Sequence, residues 1–71
     1  MAASLVKRSF SLAGHRTSVA LEAEFWAALA GIAAPRPVSA LVAELDAARP
    51  PGQPLASALR LHALRWALVA R

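Results

Sequence analysis

Arg16, Ser18 and Ala20 alternate with Thr17, Val19 and Leu21 along the run Arg16-Thr17-Ser18-Val19-Ala20-Leu21. Period two sends the first set to one face of a strand and the second to the other, so one face is core and the other meets solvent or a ligand. Arginine presents a planar fork of donors suited to phosphate, carboxylate or a guanine edge, serine donates or accepts, and alanine offers only a methyl group. Those are groups for recognition. Catalysis finds no support elsewhere: neither His15 nor His62 sits in a nucleophile-and-acid constellation, no glycine loop could cradle phosphate, and Glu22, Glu24, Glu44 and Asp46 read as helix-surface charge. An enzyme is not expected. With no cysteine, disulfides and thiolate metal sites are excluded, and two histidines cannot complete a four-ligand zinc site, so neither metal nor cofactor is expected.

Charge is segregated along the 71 residues, whose formal net charge is +4 and sequence pI about 11.6. Residues 1–21 hold Lys7, Arg8 and Arg16 with no acid, residues 22–46 hold all four acids with Arg36 the only base, and residues 47–71 hold Arg49, Arg60, Arg65 and Arg71. Such a balance suits a polyanion, either nucleic acid or an anionic membrane surface. Arg60 and Arg65 interrupt the most apolar stretch before it reaches the roughly 18 residues a bilayer span requires, so the chain is expected to be soluble or surface-bound. A membrane-surface helix with Leu55, Leu59 and Trp66 inserted is a third reading, and no membrane partner is the expectation because residues 55–71 are apolar on two sides. The first 21 residues have the composition of a mitochondrial presequence, but they alternate as a strand does, and a cytoplasmic protein is the expectation.

A chain this short stands near the lower limit of independent stability, and without cysteines oligomerisation is the remaining way to stabilise it. The reading along the chain is a tail over 1–6 and a short first strand over 7–12. Ala13-Gly14-His15 gives a turn signal, and a second strand follows over 16–21. At Glu22 the hydrophobic period changes from two to about 3.6. A helix over 23–34 carries Phe25, Leu29, Ile32 and Ala33 as an inward stripe with Trp26 beside it, and Pro35-Arg36-Pro37 ends it. A second helix over 38–48 has Val38, Leu41, Val42 and Leu45 as its stripe. Residues 50–54 are a proline- and glycine-rich linker, and a third helix fills 55–71. On it Leu55, Leu59, His62, Trp66 and Val69 share one face, while Leu61, Leu64 and Leu68 form another, which suits a helix between its own domain and a partner. Trp26 and Trp66 read as packing anchors. Because one strand cannot satisfy its own backbone, a second chain is expected to supply the missing partner.

The order of strand, helix and helix, with Lys7-Arg8-Ser9, Ala13-Gly14-His15-Arg16-Thr17-Ser18, Leu21-Glu22 and Phe25-Trp26, resembles the ribbon-helix-helix family of bacterial DNA-binding proteins, which includes the Arc and MetJ repressors. Ala40 to Asp46 and Ser57-Ala58-Leu59-Arg60 extend the likeness, which covers residues 7–66. The resemblance implies a mainly α fold with a short β-ribbon, an intertwined obligate homodimer, and a third C-terminal helix added to it. A tetramer follows if the second stripe of that helix stays exposed. The implied function is sequence-specific binding of double-stranded DNA by a small cytoplasmic bacterial transcriptional regulator, with repressor the first role to consider and activator left open.

In that family the paired strands of two chains enter the major groove, and the resemblance maps base contacts onto Arg16, Ser18 and Ala20. Arginine can hold guanine O6 and N7 bidentately, whereas Ala20 could touch only a thymine methyl. The implied dimer core is Val19, Leu21, Phe25, Leu29, Ile32, Leu41, Val42 and Leu45. Phosphate contacts fall to Lys7, Arg8, His15, Arg36 and Ser39. Here the chain departs from the family pattern: Pro35 and Pro37 replace the usual turn glycine and capping hydroxyl, and proline has no amide hydrogen to give a phosphate. Lys7 and Arg8 also read as a flexible arm, a first strand or solubility charge. The alternative reading is an antitoxin or adaptor that binds an acidic protein through residues 55–71.

Overall fold

The computed structural model describes residues 4–70, and begins with a hairpin rather than a lone strand. Strand β1 (Leu5–Leu12) pairs antiparallel with β2 (His15–Glu22), from Leu5 opposite Glu22 to Leu12 opposite His15. The connection is the two-residue tip Ala13-Gly14, at φ 50° and 82°. Positive φ at both central residues is the geometry whose twist matches that of paired strands, and glycine takes it without steric cost. This corrects the expectation that another chain must supply the strand's partner: β1 of the same chain supplies it along one edge. Both strands also run further than expected, with β1 starting at Leu5 inside the supposed tail; residues 1–3 of that tail lie outside the described residues.

Helix α1 (Ala23–Ala33) starts directly after β2, and Pro35 and Pro37 prevent its continuation. The chain turns sharply, with Arg36 N–H donating to the Ala33 carbonyl across 3.0 Å, into α2 (Val38–Ala48), bent by 94° from α1. After Arg49-Pro50-Pro51-Gly52-Gln53-Pro54 comes α3 (Leu55–Ala70). Among the described residues no single helix is long and apolar enough to cross a membrane.

The two-stranded sheet lies over the helices, and one interior joins all five elements. Phe10, Leu12, Val19 and Leu21 reach it from the hairpin; Trp26, Leu29 and Ala33 from α1; Leu41 and Val42 from α2; Leu59 and Ala63 from α3. Leu21, Leu29, Val42 and Leu59 are fully buried inside one chain. The expected dimer core thus lies within a single chain: Val19, Leu21, Leu29, Leu41 and Val42 are buried, and Phe25, Ile32 and Leu45 pack half-buried against them. These residues pack on one another within the chain before any second copy is added. Trp26 is buried more deeply than Phe25, because it lies beneath β1 whereas Phe25 faces α3. The first half of α3 packs as its periodicity requires, but the last turns overshoot the body and leave Leu64, Trp66, Leu68 and Val69 exposed.

Candidate nucleic-acid interface

The hairpin register divides its side chains into two sets. Val6, Arg8, Phe10 and Leu12 of β1 share a face with His15, Thr17, Val19 and Leu21 of β2, and this is the face over the helices. On the other face Lys7, Ser9 and Ser11 lie opposite Ala20, Ser18 and Arg16 respectively. The outer face is therefore a compact field of hydroxyls with a cation towards each end. Ser9 and Ser18 hydroxyls are hydrogen-bonded across the strands at 3.0 Å. Glu22, at the end of β2, does not leave a free carboxylate there: Arg60 of α3 donates to its Oε1 from Nη2 at 3.0 Å and from Nε at 3.2 Å. A hydrogen bond with its own backbone, together with that guanidinium, holds the Glu22 carboxyl below its ordinary pKa. The Arg60 guanidinium also lies 5.8 Å from the Phe25 ring centre.

Arg16, Ser18 and Ala20 stand together on this outer face, with Lys7 beside them. Ser9 and Ser11 join them, and the signal for them was in the sequence: they share the parity of Lys7 and oppose that of Phe10 and Leu12. The remaining expected contacts lie elsewhere. Arg8 is on the helix side, its guanidinium 5.2 Å from the Trp26 ring centre. His15, also on the helix side, borders a cleft of about 220 Å³ with Thr17, Asp46 and Arg49. Its parity with Val19 and Leu21 predicts this placement.

Arg36 and Ser39 flank the start of α2. Pro37 caps that helix without a side-chain bond, and the Ala40 amide donates to the Pro37 carbonyl at 3.0 Å, so only Val38 and Ser39 keep amides that the first turn does not use. The Arg36 fork is occupied by Glu44, with Nη1 to Oε2 at 2.5 Å and Nη2 to Oε1 at 3.1 Å. That bond and the opposite charge raise the Arg36 pKa and lower that of Glu44. Arg49, which sequence reasoning left aside, closes the linker by pairing with Asp46 at 2.9 Å and donating to the Gln53 carbonyl at 2.5 Å. Among the described residues no group of three or more histidines or acids is placed to hold a metal ion.

A two-stranded ribbon with a polar outer face, followed by two helices set at a steep angle beneath it, defines a ribbon-helix-helix architecture extended by a third helix. The chain belongs to the ribbon-helix-helix domain family, whose model matches residues 5–67. Members of that family generally bind DNA. Neither a curated protein nor a solved structure matches the chain significantly.

Proposed function

We propose that the protein is a sequence-specific binder of double-stranded DNA and a small bacterial transcriptional regulator acting in the cytoplasm. The observation that carries this reading is the outer hairpin face, where Lys7, Ser9, Ser11, Arg16 and Ser18 gather with no free carboxylate among them. Arg16, Ser18 and Ala20 contact bases; Lys7, Arg36 and Ser39 contact phosphate, Arg36 by exchanging Glu44 for it. Arg8 and His15 are turned to the helix side, and Arg8 acts there only as nearby positive charge. The protein works as a binding module, not as an enzyme.

The working unit is a homodimer joined along β2. Half of the amides and carbonyls of β2 face away from β1, which leaves a template for another strand. Pairing along β1 would bring Lys7 and Arg8 of two copies together, where like charges oppose each other; β2 has no charged residue from Thr17 to Leu21. Selection of bound duplexes from a random library at two salt concentrations tests the function. Recovery of one shared sequence at both is expected, and recovery of unrelated sequences, lost together as salt rises, would reduce the protein to a merely basic module.

The exposed end of α3 favours a second reading, in which the same protein serves as antitoxin or adaptor for an acidic protein or joins two dimers. Leu64, Trp66, Leu68 and Val69 are apolar and more than half exposed there, beside Arg65. Trp66→Ser should abolish such an assembly in sedimentation while leaving DNA affinity unchanged.

A further inference from the structure

We infer that β1 is a phosphate clamp, with Lys7, Ser9 and Ser11 seated on the walls of the DNA groove whose floor β2 reads. The inference rests on the proposed DNA-binding dimer and assigns a separate task to each strand of its hairpin. In a sheet ordered β1, β2, then the second copy's β2 and β1, strands stand about 4.8 Å apart, so each β2 lies about 2.4 Å from the two-fold axis and each β1 about 7.2 Å from it. The major groove is about 12 Å wide, which places its phosphate walls about 6 Å from the same axis. A four-stranded sheet is therefore too broad to enter the groove whole. Its central strands meet base edges and its outer strands meet the sugar-phosphate backbone.

The residue types agree with that division. The outer side chains of β2 include Arg16, which can hold a guanine edge in a fork, and Ser18 and Ala20, which are short enough to let the strand approach the bases. Those of β1, beyond Leu5 at its start opposite Glu22, are Lys7, Ser9 and Ser11: an ammonium and two hydroxyls, all donors to phosphate oxygen and none with a planar fork for a base. They recur every second residue, about 6.8 Å apart along the strand, which is close to the separation of successive phosphates on one DNA strand. Ala20 lies directly across from Lys7 and leaves the lysine stem room to swing outward. The hydrogen bond between Ser9 and Ser18 joins the two tasks, because it fixes a phosphate donor against a base reader. At the start of α2 Pro37 gives no amide and Arg36 must leave Glu44 before it can reach a phosphate, so the clamp on β1 adds to a contact that is weaker there.

The test measures binding of the full chain to its selected duplex over a salt series, and to the same duplex with single base-pair changes. The variants are Lys7→Ala, the double variant Ser9→Ala/Ser11→Ala, and Arg16→Ala, each checked for native circular dichroism. Lys7→Ala is expected to reduce the slope of log affinity against log salt by about two per dimer, one phosphate per copy, with the ranking of the altered duplexes unchanged. The double serine variant should weaken every duplex by the same factor, whereas Arg16→Ala should alter the ranking. A changed ranking on substitution of Lys7 or the serines would place β1 among the bases and overturn the clamp while DNA reading stands. Unchanged slope and affinity in both β1 variants would put β1 off the DNA and overturn it too. Failure of the unaltered chain to bind any duplex would remove the proposed function itself.

Discussion

The indole nitrogen of Trp26, on the first turn of α1, donates to the backbone carbonyl of Val6, twenty residues earlier, across 2.7 Å. This one bond ties the start of the hairpin to the helix beneath it. Phe10 packs against the same indole with ring centres 5.8 Å apart, and Arg8 lies on it from the strand side. Trp26→Phe keeps most of the apolar contact and loses the donor, so it should cost about 1 kcal/mol, whereas Trp26→Ala should cost about 3–5 kcal/mol. Urea unfolding followed by circular dichroism separates the two: no loss in Trp26→Phe would mean that the bond to Val6 contributes nothing, and equal losses would mean that the apolar contact contributes nothing.

Leu29 is fully enclosed by its own chain. Leu29→Ala should destabilise the protein by about 2–5 kcal/mol. Because one chain completes the interior, dilution below the dimer dissociation constant should yield monomers that retain their helical circular dichroism. Loss of helix in step with dissociation would show instead that folding and association are one process.

Arg16 is the only residue of the outer β2 set able to form a bidentate contact with a base. Arg16→Ala should remove about 1–3 kcal/mol of discrimination at one base pair per half-site, read by competition between duplexes at fixed salt. Unchanged discrimination would remove base reading from this face.

The pair between Glu22 and Arg60 joins the strand-to-helix junction to α3. The Glu22 carboxyl has a lowered pKa in the folded protein, so its contribution to stability is complete above the unfolded value of about 4.3 and is lost as pH falls through the folded value. Glu44, lowered by Arg36, acts in the same direction. Glu22→Gln should therefore flatten the fall of the unfolding midpoint between about pH 5 and pH 3. An acid profile identical to that of the unaltered protein would show that the pair carries no linkage.

Periodicity carried most of this fold into the sequence. The swap of period at Glu22, the prolines at 35 and 37 and the linker at 50–54 mark where helices start and stop, and α2 spans the residues its apolar stripe predicts. The inward set Thr17, Val19 and Leu21 and the outer set Arg16, Ser18 and Ala20 were legible for the same reason. What local pattern cannot carry is which neighbour covers a given face. Phe25 and Trp26 are adjacent and both aromatic, and only the position of β1 over α1 decides that Trp26 is the buried one. Trp66 shares its helical stripe with Leu59, yet one is exposed and the other enclosed, because α3 outruns the body it packs on. Parity, applied to Arg8 and His15 as it was to Arg16, separates them from the outer face; basic character alone groups them with it.

The tip Ala13-Gly14 holds more than a change of direction. Its two residues count the strands into alignment, and side chains alternate with a period of two, so a residue added at the tip must be absorbed by a bulge or by a slip of one strand against the other. A slip of β2 by one place would drive Arg16 and Ser18 into the oily interior and bring Val19 and Leu21 to water, so the bulge is the expected outcome. The shortest connection in the molecule thus sets which outer residue of one strand stands across from which of the other, and a lengthened loop would be expected to disturb that alignment even with every strand residue left in place.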